Sequence, residues 1–411
     1  MDALAQVPYS MNCLQNLSPT DPTMKQDEQI YTLALTRISG LGQVGAYNLI
    51  KAMGSATDVF QHRNQIPQLI PEATEKLVKA LDNPEAIKRA EEELIYAERN
   101  HIQCITVNDE EYPSRLRECE DAPLALFYRG NAPLNALRVV SVVGTRHATP
   151  YGQDICNSLI ADLSDAIPDA LIVSGLAYGI DIYAHRAALQ NGLNTVGVLA
   201  HGLDRIYPAA HRNTAIKMLE QGGLLTEFMS GTNPDRQNFV KRNRIVAGMA
   251  DATIVVESAA KGGALITAEL TESYHRDCFA FPGRITDEFS AGCNELIRNN
   301  RAALITCADD FLQAMGWSAG NKPKPENIQR QLFPELTEDE QAIVDILQKS
   351  SEGIQINTLV VEANIPINRM SALLFELELK GLVRPMAGGV YRLVSCCFFI
   401  GLLVIVLTFI G

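Results

Sequence analysis

No Cys-x-x-Cys spacing occurs among the nine cysteines, and the closest two, Cys396 and Cys397, are simply adjacent. A disulfide framework is therefore excluded, and reduced structural thiols in a cytoplasmic protein are the expectation. No metal site is expected. A basic excess is also missing. The chain carries 35 Lys and Arg against 48 Asp and Glu, a net charge of −13, so no surface that is basic all over attracts polyanions. A local basic groove is compatible with this balance, because most of the acid excess lies outside residues 138–317. No secretory signal is visible. Residues 1–26 are polar, are interrupted by Pro8, Pro19 and Pro22, and read as a disordered leader. Two nucleotide signatures are absent as well: the G-x-G-x-x-G fingerprint and the Walker lysine. An NAD or ATP site of the familiar kind is not supported, and no cofactor is expected.

What the chain does have is organised around residues 138–146, RVVSVVGTR. A short Val-rich run that stops abruptly at Gly has the form of a buried parallel strand. A helical segment follows directly, over residues 151–166. Further strands are predicted at 102–107, 170–174, 193–199, 223–227, 252–257, 278–281 and 303–306, with helices between those of the main domain, and the segment 123–130 leads into it. Alternation of this kind predicts an α/β fold: an extended Rossmann-like, doubly wound, mostly parallel sheet covered on both faces, over residues 101–320. Ligands of such sheets lie at the carboxyl ends of the strands, where helix N-termini offer free N–H groups to phosphate.

The flanks read differently. Residues 27–100 are helical. The turn Ile38-Ser39-Gly40-Leu41-Gly42-Gln43-Val44-Gly45 resembles a helix-hairpin-helix, which brings backbone N–H groups to a DNA phosphate. The alternative is a small helical domain that uses Gly as a C-cap and turn. A weaker second copy is expected at 66–81, with Pro71 in place of Gly. Residues 321–336 are rich in Lys, Pro and Gln and read as a linker. Residues 337–393 resemble a winged helix. Thr337 caps its first helix with Glu340 at capping-box spacing, 367–380 is its third helix, and 382–393 is a hairpin turning at Gly388-Gly389. That third helix carries Arg369 and Lys380 but also Glu376 and Glu378, so a protein-docking or structural role is expected ahead of DNA reading. Residues 394–411 form an uncharged apolar tail. It is long enough to cross a bilayer core of ~30 Å, and is either a membrane anchor or a hydrophobic appendage.

Four loops carry the chemistry. Gly144-Thr145-Arg146 ends the first Val-rich strand. Ser174-Gly175 ends the next, with Gly179 at a helix start, a phosphate-cradle arrangement. Phe239-Val240-Lys241-Arg242-Asn243-Arg244 is expected to open a helix. Three cations at a helix start oppose the macrodipole preference and await an anion. Phe239 beside them can stack on a base, and Arg244 can instead pair with a carboxylate such as Glu227. Lys261-Gly262-Gly263 joins a strand to a helix, with a point charge beside glycines that permit close backbone approach.

Taken in order, these loops together with Tyr207-Pro208, Pro282-Gly283 and the Gly292-Cys293-Asn294-Glu295-Leu296-Ile297 segment resemble the DprA (Smf) family of DNA-processing proteins. The match spans about 108–317. Val240 where the family usually has Pro, and Gly263 after Gly262 where Ser-Gly is common, are mild departures. The resemblance implies a dimeric bacterial protein that binds single-stranded DNA, protects incoming strands during natural transformation and helps load the RecA recombinase, without covalent chemistry. By position it implies that Arg146, Phe239, Lys241, Arg242, Arg244 and Lys261 line a DNA groove. Gly144, Ser174, Gly175, Gly179, Gly262 and Gly263 would give backbone contacts, with Thr145 and Asn243 beside them.

An enzyme of the same fold class is the alternative: a nucleotide-binding or nucleotide-hydrolysing protein of the lysine-decarboxylase-like kind. Asp181, His185, His201, Glu227 and Glu257 are its candidate acids and bases. Asp181 and His185 stand one helical turn apart, close enough for acid–base work. Helix capping and a satisfied, partly buried histidine are the favoured reading of them. The Lys261 loop also lacks the Glu and the Pro-Gly-Gly-x-Gly-Thr pattern of such hydrolases, so no enzymatic activity is expected.

Overall fold

The computed structural model of the chain describes residues 22–70, 75–317, 336–350, 353–386 and 388–393. They divide into two compact units between residues 320 and 321. The first unit opens with helices α1 (Pro22–Leu35), α2 (Gln43–Met53), α3 (Ala56–Gln61), α4 (Ile66–Leu69), α5 (Glu75–Leu81) and α6 (Pro84–Arg99). Because α1 starts at Pro22, the expected leader is too long: residues 22–26 are helical, and 1–21 lie outside the described residues. The glycine turn joins α1 to α2, with Gly42 at the α2 N-cap supplying no side chain. The expected second hairpin is seen only as the short α4 and α5, since Pro71 lies outside the described residues.

Helix α6 buries Ala86, Ala90, Glu93 and Ala97, one stripe at helical spacing. Glu93 is the charged member of that stripe, and its burial is compensated. It accepts hydrogen bonds from the Ser230 N–H at 2.8 Å and hydroxyl at 2.6 Å, and pairs with Arg89 at 2.7 Å. Gln43 Nε2 donates to Glu227 at 2.7 Å. The helical layer is thus fastened to the sheet domain and shares its hydrophobic core.

Nine strands follow: β1 (Gln103–Thr106), β2 (Ala125–Gly130), β3 (Val139–Val143), β4 (Leu171–Ser174), β5 (Asn194–Val198), β6 (Gly222–Thr226), β7 (Ala252–Val255), β8 (Asp277–Ala280) and β9 (Ala303–Leu304). The ends of all but β2 lie within a residue or two of the predicted ones, and β2 forms in the 123–130 segment, to which the sequence assigns no strand. The sheet order is β1-β2-β6-β5-β4-β3-β7-β8-β9. The β1–β2 and β2–β6 pairs are antiparallel and the rest parallel. Between the strands lie α7 (Ser114–Arg117), α8 (Pro150–Ala166), α9 (Ile180–Gln190), α10 (Arg212–Glu220), α11 (Arg236–Gly248), α12 (Gly263–Ser273) and α13 (Ala291–Arg298), and α14 (Ala308–Ala314) follows β9.

The period-two alternation of β3 feeds two cores. Val140 and Val142 pack with Ile172, Ile254 and residues of α8, α9 and α14, while Val139 and Val143 pack with Leu171, Val173 and residues of α11 and α12. Each fully buried Val or Leu contributes roughly 1.5–3 kcal/mol of transfer free energy. This is why the short strands hold although neither face meets water. From β3 the chain works outward through β4, β5 and β6, then returns to the other flank of β3 at β7. That reversal leaves a crevice at the carboxyl ends of β3, β4 and β7.

The second unit contains α15 (Glu338–Leu347), β10 (Ile354–Gln355), α16 (Ile356–Ala363), α17 (Ile367–Leu379), β11 (Val383–Met386) and β12 (Val390–Leu393), with sheet order β10-β12-β11. It is a winged helix with its own core around Ile343, Leu359, Met370 and Leu374. Both halves of the capping box form: the Glu340 N–H donates to Thr337 Oγ1 at 3.3 Å, and the Thr337 N–H donates to the Glu340 carboxylate at 2.8 Å. The two cations of the third helical segment turn to carboxylates near the start of α15. Arg369 pairs with Asp339, and Lys380 with the buried Glu340 at 2.6 Å. Residues 318–335, nearly all of the expected linker, and the apolar tail 394–411 lie outside the described residues. Among the described residues no helix is long and apolar enough to cross a membrane.

Candidate nucleic-acid interface

The crevice is an open cleft of 710 Å³. From the end of β3 it takes Gly144, Thr145 and Arg146, and from the end of β4 Gly175 and Ala177. The loop after β7 gives Lys261, Gly262 and Gly263, and α11 gives Arg236, Phe239, Arg242 and Asn243. Segments about 100 residues apart in sequence therefore meet on one edge, as the strand pattern predicts.

Phe239 is half-buried in the cleft wall. The Arg146 guanidinium carbon stands 5.0 Å from its ring centroid and that of Arg242 5.9 Å, both cation–π distances. Tyr207 supports it with ring centroids 6.0 Å apart. Arg146, Arg236 and Lys261 are exposed. They enter none of the salt bridges that engage the arginines nearby, such as Arg205, Arg244 and Arg276. The one carboxylate on the cleft wall, Asp181, is buried. A cationic pocket thus exists inside an acidic chain, because the acid residues of this domain sit elsewhere.

Local geometry explains the glycines. Asp181 lies one turn below the 174–179 loop and accepts hydrogen bonds from the N–H groups of Gly175 at 3.2 Å and Ala177 at 3.4 Å. A Cβ on Gly175 would fall 2.1 Å from Arg242 Nη1. Gly179 has φ +76°, and a Cβ there would meet the Thr145 carbonyl at 2.0 Å. Gly263 is different. Nothing lies within 4 Å of where its Cβ would stand, so its backbone is open to approach. The Lys261 loop is braced from behind. The Ser258 N–H donates to Phe289 O at 2.7 Å and the Gly292 N–H to Ser258 O at 2.8 Å. Asn294 exchanges two hydrogen bonds with the Gly283 backbone.

Four expected contact residues, Lys241, Arg244, Ser174 and Gly179, lie off the cleft, and a fifth, Arg242, is buried in its wall. Helix α11 begins at Arg236, so Lys241, Arg242 and Arg244 lie in its second and third turns and not at its start. At 100° per residue they spread around the helix. Lys241 is exposed but off the cleft. Arg242 is 4% exposed, and its guanidinium donates to the carbonyls of Gly175 at 2.6 Å and of Val198. It ties the ends of β4 and β5 together. Burial lowers its pKa to about 10, which leaves it charged at neutral pH. Arg244 is buried against Glu227 and the Asp121 carbonyl. Ser174 is fully buried and donates to Val142 O at 2.6 Å, joining β3 to β4. Gly179 lies outside this cleft and lines the recess beside it.

Three residues on the wall were not expected. Arg236 precedes Phe239 by three residues on the same helix, a spacing that would have revealed it. His147 follows Arg146 directly. Phe289 gives no local signal, since the Ser258–Phe289 backbone bond and the neighbouring His147 ring, 6.1 Å between centroids, bring it to the cleft from across the fold.

Of the candidate acids and bases, Asp181, His185 and Glu257 are engaged by neighbouring groups. His185 is fully buried. Its Nε2 accepts from the Leu176 N–H at 3.3 Å, and its Nδ1 lies 2.7 Å from the Thr195 hydroxyl, which itself donates to Ile172 O. That chain of bonds requires a neutral ring with the proton on Nδ1, and burial holds its pKa down at about 3. Burial raises the Asp181 pKa, against the pull of Arg242. Glu257 accepts from the Thr149 N–H at 2.9 Å and hydroxyl at 2.6 Å at the head of α8, and burial raises its pKa too. His201 donates from Nδ1 to Gly202 O at 2.9 Å. No group of three or more metal-ligating side chains occurs among the described residues.

Comparison with known proteins matches this architecture. Residues 103–316 fit the family model described as DNA recombination-mediator protein A, and residues 329–389 the DprA winged helix domain. A DprA-named protein of Mycobacterium tuberculosis is 41% identical over 255 residues, 58% of this chain and 65% of that protein. The chain thus aligns with a little less than two thirds of that relative. Protein Smf of Escherichia coli is 34% identical over 326 residues, covering 75% of this chain and 82% of that protein. The X-ray structure of DNA processing protein A from Streptococcus pneumoniae superposes with a TM-score of 0.55 at 33% identity, covering 70% of this chain and 97% of that one. The sheet topology, the glycine-lined crevice and these matches agree: the chain belongs to the DprA (Smf) family.

Proposed function

We propose that this chain binds single-stranded DNA in the cleft at the ends of β3, β4 and β7 and acts there as a recombination mediator. One observation carries the reading. Phe239 is half-buried in the cleft wall, with Arg146 over its ring and Arg236 and Lys261, which have no carboxylate partner among the described residues, on the same wall. An aromatic face beside point charges suits a strand whose bases are unstacked and whose phosphates are within reach, and stacking contributes ~1–3 kcal/mol per base. In a duplex the base faces are already covered. The protein would act in the cytoplasm as a homodimer, shield incoming strands during natural transformation and pass them to the RecA recombinase. It would perform no covalent chemistry, because Asp181, His185 and Glu257 are engaged in holding loops and helix ends. The winged helix would not read DNA, because both cations of its third helical segment are held by carboxylates.

Equilibrium binding of a fluorescent oligonucleotide across a salt series tests this. Single strands should bind more tightly than duplex, with a log–log salt slope of about −0.7 per neutralised phosphate. Arg146→Ala and Lys261→Ala should each weaken binding several-fold and make the slope shallower by about one phosphate. Preference for duplex, indifference to salt, or release of a free base from a nucleoside monophosphate would overturn the proposal.

A further inference from the structure

A second recess of 560 Å³ adjoins the cleft, and Arg146 and His147 line both. Its other walls include Tyr178, Gly179, Tyr183 and Arg186, and no carboxylate lines it. Tyr178 is 49% exposed although it is a large aromatic side chain. Its ring is backed edge-on by His211, with centroids 4.8 Å apart and planes at 70°. His211 is itself buried and hydrogen-bonded through Nδ1 to the Leu176 carbonyl at 2.8 Å. The backbone on either side of Tyr178 is pinned as well. The Ile180 N–H donates to the Thr145 carbonyl at 3.1 Å, next to Arg146. Arg186 is exposed, and its closest polar contact is the neutral Thr214 hydroxyl, at 3.4 Å. Two braced aromatic side chains, Phe239 and Tyr178, therefore line two adjoining pockets that share the exposed Arg146, and the exposed Arg186 lines the second of them.

We propose that this recess is a second base-stacking subsite on the same strand path. One base rests on Phe239 and another on Tyr178, Arg146 holds phosphate between them, and Arg186 holds phosphate beyond Tyr178. The inference rests on the single-strand reading and extends it, because it fixes where the strand leaves the first cleft. Aromatic faces alternating with cations are the pattern that single-strand grooves use without sequence preference.

The test is a length series of oligothymidylates with the full chain, read by anisotropy. Affinity of the unaltered protein should rise with length until both subsites fill. Tyr178→Ala should weaken the long oligomers about fivefold or more, bring the plateau to shorter lengths and leave the shortest oligomers unaffected. Tyr178→Phe should keep the plateau, since the ring and not the hydroxyl does the stacking. Arg186→Ala should make the salt slope shallower by about 0.7 for long oligomers only. A folded Tyr178→Ala protein with an unchanged length profile would overturn the second subsite while leaving the first intact. If Tyr178→Ala melts early, the Arg186→Ala slope decides the question alone. Failure of the unaltered protein to bind any single strand would instead remove the underlying function.

Discussion

Arg146 and Arg242 both lie over the ring of Phe239, yet their surroundings give them opposite roles. Arg146 is exposed and has no carboxylate partner among the described residues, so its charge is available to a phosphate. Arg242 is buried and donates to two strand-end carbonyls. Hydrogen bonds from a charged donor contribute ~1.5–3 kcal/mol each, and removing the donor leaves buried carbonyls unsatisfied. Arg242→Ala should therefore lower stability by about 3 kcal/mol, measured as an earlier melting midpoint, and should weaken binding only together with that loss. Arg146→Ala should melt close to the unaltered protein while losing affinity. Equal melting of the two variants would show that Arg242 is not the structural member of the pair.

At the scale of elements, the 174–179 loop depends on α9. Asp181 and His185, one turn apart on that helix, accept the N–H groups of Gly175, Ala177 and Leu176. This has a pH consequence. The folded pKa of His185, about 3, lies below its ordinary value of 6.5. Between these values the unfolded chain binds the proton and the folded chain does not, so the stability His185 contributes falls as pH drops from 6.5 towards 3, against the raised pKa values of Asp181 and Glu257. Burial lowers the His201 pKa as well, which acts in the same direction as His185. Chemical denaturation at stepped pH should show this decline, and His185→Gln should flatten it while lowering stability at pH 7. An undiminished slope in His185→Gln would assign the acid sensitivity to other groups. Helix α11 carries the other lesson of this scale. Asp235, a good N-cap residue, stands just before Arg236 and marks the true helix start. The dense run of cations downstream draws attention to the wrong turn.

For the whole molecule, the distribution of charge matters more than its sum. The net charge of −13 coexists with a cleft whose exposed charges are all positive. The winged helix shows the converse: its cations Arg369 and Lys380 are present in sequence but neutralised in place. The double variant Arg369→Ala, Lys380→Ala should keep both affinity for single strands and salt slope. It should also lower the melting temperature of the winged helix, because the buried Glu340 loses its counter-charge. A reduced salt slope would instead place that helix on the DNA.

The sequence by itself determined the strand–helix alternation of the main domain, the Gly-rich turns at the strand ends and the capping box of the winged helix. Each is a local property: a run of β-branched residues, a backbone that must turn tightly, a side chain three residues from its partner. It also determined the family, because the loop motifs occur in a fixed order. Which cation faces solvent is decided elsewhere. Arg242 and Arg244 are separated from Lys241 by one and three residues, and only the packing of α11 against β4, β5 and the Asp121 segment turns the two arginines inward. Phe289 and Tyr178 reach the cleft and its neighbour through contacts that cross the fold, a backbone hydrogen bond from Ser258 and the ring of His211. Strand patterns are written in neighbouring residues, whereas the exposure of a charge depends on what the rest of the chain packs against it.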